Sequence, residues 1–354
     1  MNLLFLEGDM SRKGGTERMT ALIANALSAR HSVFVTSLRM VGGGVFFPLD
    51  GCVQHSVLDN GAGKTGAAAQ IRMIRRFIKE NKIDCVINVD VGMGFYGIIA
   101  ARGTGAKVIT WEHGNYFNNW GSRWFPYFRR FAARHSDAMV VLTERDKQNY
   151  MTNISRCRPV TVIGNPVEKH PVDYRSDSRT ILSAGHLAPV KRFTLIPEVG
   201  RTVFARHPDW QWRICGEGPE RAEIERQIAE YGLSKNIILA GSVSDMETEY
   251  RAAAMYVMTS GMEGLPMVLL EAKSYGLPLV SFDIMTGPGE IIRDGVNGYL
   301  VPSGDTAALA EKICRLIENE ELRRDFSENS QVDIERFDSV EIIEQWEKLI
   351  QRLK

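Results

Sequence analysis

Apolar and polar positions along this chain alternate between two textures. Short, nearly continuous runs of Leu, Ile and Val are separated by longer stretches in which apolar residues recur every three or four positions. Continuous runs of that kind read as strands buried on both faces, and the periodic stretches read as amphipathic helices. Their alternation therefore predicts βαβ units feeding parallel sheets. The pattern places strands at 2–6, 32–36, 53–57, 84–89, 106–110, 138–142 and 160–163, with helices at 16–29, 67–80, 94–102 and 122–135. That is one doubly wound, Rossmann-like domain over residues 1–166. A polar stretch follows Gly164-Asn165-Pro166, and the series then restarts. Strands are predicted at 180–184, 211–215, 236–239, 255–258, 278–281 and 298–301, and helices at 192–206, 219–231, 245–252 and 266–275, giving a second such domain over 167–336. Residues 337–354 read as a closing amphipathic helix that packs back on the first domain. In open α/β sheets ligands bind at the carboxyl ends of the strands, so a ligand cleft between the two domains is expected.

Composition narrows the function classes. A chain of 354 residues exceeds what one core usually organises, in keeping with two domains. Lys plus Arg and Asp plus Glu are equal at 43 each, so no global field draws the protein to nucleic acid. The five cysteines are scattered without CxxC spacing, which argues against a zinc or redox site. The opening residues lack a basic n-region, and no run approaches the roughly 20 apolar residues of a spanning helix. The expected location is the cytoplasm.

The segment richest in chemistry runs from Gly261 to Gly276. Pro266 stands where a helix should begin and Gly276 just past its end, so a short helix follows the strand at 255–258 and a glycine-bearing turn. Its free N–H groups and dipole suit a diphosphate. Glu271 shares a helical face with Met267, Val268 and Tyr275, which predicts an inward carboxylate that needs hydrogen-bond donors, such as a ribose diol. Glu263 lies in the turn before the helix, placed to meet a sugar hydroxyl. In the first domain, Gly14-Gly15 lies between the first strand and helix, where backbone can approach a ligand closely. Glu112-His113-Gly114 ends another strand at the crevice.

Two acids around Gly264-Leu265-Pro266 are followed by Ile284–Ile292 and Asp294–Val301, with Gly14-Gly15-Thr16-Glu17-Arg18 near the other end. Together these segments resemble family 4 of the retaining glycosyltransferases, a family with the GT-B fold. The resemblance implies that Glu271 binds the donor ribose, that Glu263 binds the transferred sugar, and that amides around Gly264, Leu265, Pro266, Met267 and Val268 hold the diphosphate. It also implies that Lys191 neutralises the leaving diphosphate and that His113 approaches the donor sugar. The implied catalytic residues are Lys191, Glu263 and His113. His186 stands where the family usually has arginine, which leaves a weaker, titratable clamp or a substitution by Arg192. Gly216 and Val243 follow strands at the same crevice, where Val243 is placed to touch the base through its backbone.

Gly61-Ala62-Gly63-Lys64-Thr65 resembles the end of a P-loop, but Leu58 stands where the motif needs glycine, so a flexible loop is expected. No Asp-x-Asp occurs, so metal independence and no cofactor are expected. Aromatics and arginines interleave from Tyr116 to Arg134, a pattern open to two readings: a core helix with a basic face, or a membrane-interface helix. The expected activity is transfer of a hexose-type sugar from a nucleoside diphosphate donor, UDP by preference, to a glycan or lipid-linked glycan acceptor at the inner face of the cytoplasmic membrane, in capsule, exopolysaccharide or lipopolysaccharide synthesis. A nucleotide-sugar epimerase and a non-catalytic sugar-nucleotide-binding subunit are the rival readings.

Overall fold

The computed structural model describes residues 1–59, 65–119 and 121–354; Gly61–Lys64 of the glycine-rich loop and Trp120 of the aromatic stretch lie outside the described residues. The chain forms two compact units, one of Met1–Pro166 with Ser339–Lys354, the other of Val167–Asp338.

The first unit runs β1 (Asn2–Glu7), α1 (Gly15–Ser28), β2 (Ser32–Arg39), β3 (Gln54–Asp59), α2 (Ala67–Glu80), β4 (Cys85–Val89), α3 (Asp90–Ala101), β5 (Lys107–Trp111), α4 (Phe125–His135), β6 (Ala138–Val141), α5 (Glu144–Asn153) and β7 (Val160–Val162). Its strands form one parallel sheet in the order β3-β2-β1-β4-β5-β6-β7. Leu3, Leu4, Phe5 and Leu6 are all fully buried, which is why β1 reads as a continuous apolar run rather than an alternation. Helix α5 escapes the apolar pattern because only Asp146 and Tyr150 along it are buried. The side chain of Thr143 starts it by accepting from the Asp146 N–H at 3.1 Å.

The second unit runs β8 (Thr180–Ala184), α6 (Ile196–Arg206), β9 (Gln211–Cys215), α7 (Arg221–Glu230), β10 (Ile237–Gly241), α8 (Met246–Ala252), β11 (Met255–Met258), α9 (Met267–Ser274), β12 (Leu279–Asp283), α10 (Pro288–Ile291), β13 (Gly298–Pro302), α11 (Thr306–Glu318) and α12 (Glu320–Ser330). Its parallel sheet has the order β10-β9-β8-β11-β12-β13. The helix expected at 192–206 starts later. Arg192 takes a left-handed conformation (φ 51°), and two 3-10 turns, Pro189–Lys191 and Phe193–Leu195, precede α6.

The closing helix, α13 (Ser339–Arg352), packs within the first unit; residues 334–337 form a 3-10 turn in the second. Trp346 of α13 is fully buried and meets Trp111, at the end of β5, nearly edge-on with ring centroids 4.9 Å apart. Glu347 approaches His31 at 3.0 Å. Truncating Trp346 removes one of the two indoles of this contact from a close-packed site. Trp346→Ala should therefore lower stability by about 3–5 kcal/mol in urea unfolding, and a loss under about 1 kcal/mol would show that α13 is not anchored by its indole.

Candidate active site at the sheet switch points

In the second sheet the chain builds outward from β8 in one direction and from β11 in the other, so these neighbours flank the switch point. They pair only at Met255–Ile181 and Tyr256–Leu182. Beyond that, side chains replace the ladder. Ser183 Oγ donates to the Val257 carbonyl at 2.6 Å, and the Tyr256 hydroxyl donates to the Ala184 carbonyl and accepts from its N–H, each at 3.0 Å. The backbone ladder ends there, and the segments after the two strands begin beyond this edge.

The two segments are stitched together. The Gly261 N–H donates to the Val190 carbonyl at 2.8 Å and Thr259 Oγ1 to the Lys191 carbonyl at 2.9 Å, while Thr286 Oγ1, from the segment after β12, donates to the Glu263 carbonyl at 2.6 Å. This brings Lys191 Nζ to 2.5 Å from Glu263 Oε1. Two residues that the sequence assigns to separate tasks thus form one ion pair. Arg192 lies against Gly261, where an added Cβ would sit 2.4 Å from its Nε, and Arg192 Nη1 reaches Ser303 Oγ at 3.3 Å. Gly216 packs backbone to backbone, since a Cβ there would fall 1.9 Å from the Gly185 carbonyl oxygen. His186 is exposed at the rim, and Val243 is half-buried after β10.

Pro266 proves to be the N-cap of α9 rather than its first helical residue, because its backbone is extended (φ −71°, ψ 112°); no side chain caps the helix. Gly264 precedes the buried Leu265, and Met267 and Val268 form the half-buried first turn. Glu271 has the donor its half-buried carboxylate calls for: the Tyr250 hydroxyl donates to Oε2 at 2.8 Å. Tyr250 is itself buried and stacked on Tyr275 at 5.2 Å, which is stacked on His170 at 4.1 Å. Tyr250 carried no sequence signal, because its role depends on α8 lying beside α9.

In the first unit the switch point lies between β1 and β4. Gly14 is the N-cap of α1, where a Cβ would meet Glu17 Oε2 at 2.2 Å, and Gly15 faces open space. His113 packs on Trp111 with centroids 4.0 Å apart; desolvation pulls its pKa down to about 3, and its Nε2 meets no hydrogen-bond partner. It is a neutral imidazole at physiological pH. The adjacent Glu112 accepts from the Tyr150 hydroxyl at 2.7 Å and from the Gly114 N–H at 3.0 Å. Burial, then the Asp90 carboxylate, pushes its pKa up despite Arg129 at 3.7 Å.

Glu7, at the end of β1, was also missed. Burial first, then the carboxylates of Glu17 and Asp90, raises its pKa to about 8, although it accepts from the Gly8 N–H at 2.8 Å. The only sequence signal is an acid closing an apolar strand at the carboxyl edge. Between the ordinary carboxylate range and about 8, the folded chain holds a proton that the unfolded chain releases, so this group lowers stability as pH rises. The urea midpoint should fall between pH 5.5 and pH 8.5, and Glu7→Gln should shrink that fall; an undiminished fall in the variant refutes the assignment.

The first unit matches the family model "Glycosyltransferase Family 4" over residues 13–170, and the second matches "Glycosyl transferases group 1" over 167–333. The amylovoran biosynthesis glycosyltransferase AmsD of Erwinia amylovora is 27% identical over 98% of this chain and 99% of its own. An alpha-1,4-N-acetyl-D-galactosaminyltransferase of Campylobacter jejuni, named for a diNAcBac-PP-undecaprenol-linked acceptor, is 26% identical over 96% of each chain. HepE of Anabaena, crystallised with UDP, superposes with a TM-score of 0.83 at 19% identity, covering 99% of this chain and 100% of its own. Its likeness bears on the fold, which is GT-B. With glycosyltransferase family models matching residues 13–170 and 167–333, the chain belongs to the glycosyltransferases, carrying a Family 4 domain followed by a group 1 domain.

Proposed function

We propose that this glycosyltransferase moves a hexose-type sugar from a UDP-sugar to a lipid-linked glycan, with retention of configuration and without a metal ion, in polysaccharide synthesis at the inner face of the cytoplasmic membrane. The observation that carries the reading is the Lys191–Glu263 pair at the β8/β11 switch point, beside the uncapped start of α9. Departure of a nucleoside diphosphate builds negative charge, and a cation already held at that place stabilises it without reorganising. As Lys191 turns to the diphosphate, Glu263 is released to accept from sugar hydroxyls. Glu271, oriented by Tyr250, accepts from the ribose diol, while amides from Gly264 to Val268 hold the diphosphate. Arg192 takes the clamp role that exposed His186 leaves weak, and Gly216 and Val243 border the base. Gly14, Gly15 and His113 keep the roles the resemblance implies.

The relatives support the substrate classes. AmsD is named for an exopolysaccharide, the Campylobacter enzyme for an undecaprenol-linked acceptor, and HepE was crystallised with UDP. No helix among the described residues is long and apolar enough to cross a membrane. Contact with the lipid surface falls instead to α4 and the turn before it, where Arg123, Tyr127, Arg130 and Arg134 share one stripe by helical spacing. Beside them, Trp124 is 56% and Tyr127 65% exposed, and Arg123 lies over the Trp124 ring at 5.4 Å. Rings at headgroup level and arginines on anionic lipid are the hallmarks of an interfacial helix.

Lys191→Ala should lower kcat by about a hundredfold or more while UDP still raises Tm, whereas Glu271→Ala should abolish the UDP-induced Tm rise. Chelator should leave turnover unchanged, and proton NMR of the product should show the donor's anomeric configuration. An inverted anomer refutes retention. Conversion of donor to an isomer without acceptor makes the protein an epimerase.

A further inference from the structure

A cavity of about 590 Å³ lies between α5 and β7. Lys147, Met151, Ile154, Arg156, Arg158 and Val160 line it, so cations rim an apolar floor. Lys147 pairs with Glu144 at 3.3 Å, but among the described residues neither Arg156 nor Arg158 has a carboxylate partner. Arg156 adopts a left-handed backbone (φ 58°), a conformation that costs free energy in a non-glycine residue. Met151, on the α5 side, is 61% exposed.

The cavity wall is fastened to the aromatic helix. Arg134 of α4 donates through Nε to the Ser155 carbonyl at 3.1 Å and through Nη2 to Ser155 Oγ at 3.0 Å, and the Arg158 N–H donates to the Ala133 carbonyl at 2.8 Å. The C-terminal end of α4 and the wall of this cavity are therefore neighbours on the surface of the unit. Unpaired guanidiniums bind phosphate oxygens in a bidentate fork, and the methylene and thioether surface beneath them suits the glycerol and upper acyl portion of a lipid.

We propose that this cavity is a binding site for the headgroup phosphate of an anionic phospholipid, held by Arg156 and Arg158. The proposal rests on the reading of α4 as a membrane-facing helix, and its test separates the two. The full chain is sedimented with vesicles of phosphatidylcholine alone and of phosphatidylcholine with phosphatidylglycerol. Binding to the phosphatidylglycerol vesicles should weaken about thirtyfold in the double variant Arg156→Ala/Arg158→Ala, with the UDP-induced Tm rise retained as proof of folding. The double variant Lys79→Ala/Lys82→Ala removes equal charge from elsewhere on the unit and should bind as wild type. Equal loss in both double variants would mean diffuse attraction and overturn the site. If Trp124→Ala/Tyr127→Ala loses binding while Arg156→Ala/Arg158→Ala does not, the membrane-facing helix stands and the headgroup site falls. A wild-type chain that binds neither vesicle, or that releases phosphatidylglycerol vesicles to millimolar glycerol 3-phosphate as the preferred ligand, overturns the site as well.

Discussion

Parting of β8 from β11 is the constraint on which the second unit's chemistry depends. The backbone ladder between them stops after two residue pairs. Instead, Tyr256 and Ser183 take over the hydrogen bonds of the last residues, so the buried polar groups at the fork stay satisfied while the backbones separate. Opposite charges then meet in a half-buried place. The side chains of Lys191 and Glu263 are 25% and 13% exposed, so removing either partner leaves a poorly solvated charge behind.

Close backbone approach serves the same end. Gly216 and Gly261 are glycines because a neighbouring carbonyl or guanidinium occupies the space of a side chain. These contacts tie the segments after β8, β9 and β11 together, with the left-handed Arg192 packed against Gly261. The first unit solves a different problem. Its switch point gathers Glu7, Asp90 and Glu112 in a poorly hydrated region where burial favours their neutral forms. His113 is neutral for the mirror-image reason, burial disfavouring its charged form.

Periodicity was enough to read both parallel sheets, to put Glu263 and His113 just past strand ends and to put Glu271 on the helix after one of them, whereas Lys191 was read from the resemblance. Buried strands and amphipathic helices differ in local pattern, and position in a βαβ unit sets the edge of the sheet. The polar α5 was illegible because it buries so little, and the late start of α6 because a left-handed Arg192 leaves no mark on hydrophobicity. Tyr250, Glu7 and Glu112 were illegible as site residues for another reason: an isolated Tyr or Glu says nothing of its neighbours.

The sequence by itself determined the two-unit α/β architecture, the glycine positions and the family, since each of these is written in local spacing and residue type. Only the tertiary structure decided that Lys191 is paired with Glu263, that Tyr250 orients Glu271, that Glu7 holds a proton near neutrality and that Arg156 and Arg158 rim an apolar cavity. These depend on distances between segments far apart in the chain and on water excluded by packing, and neither quantity exists until the sheets have formed.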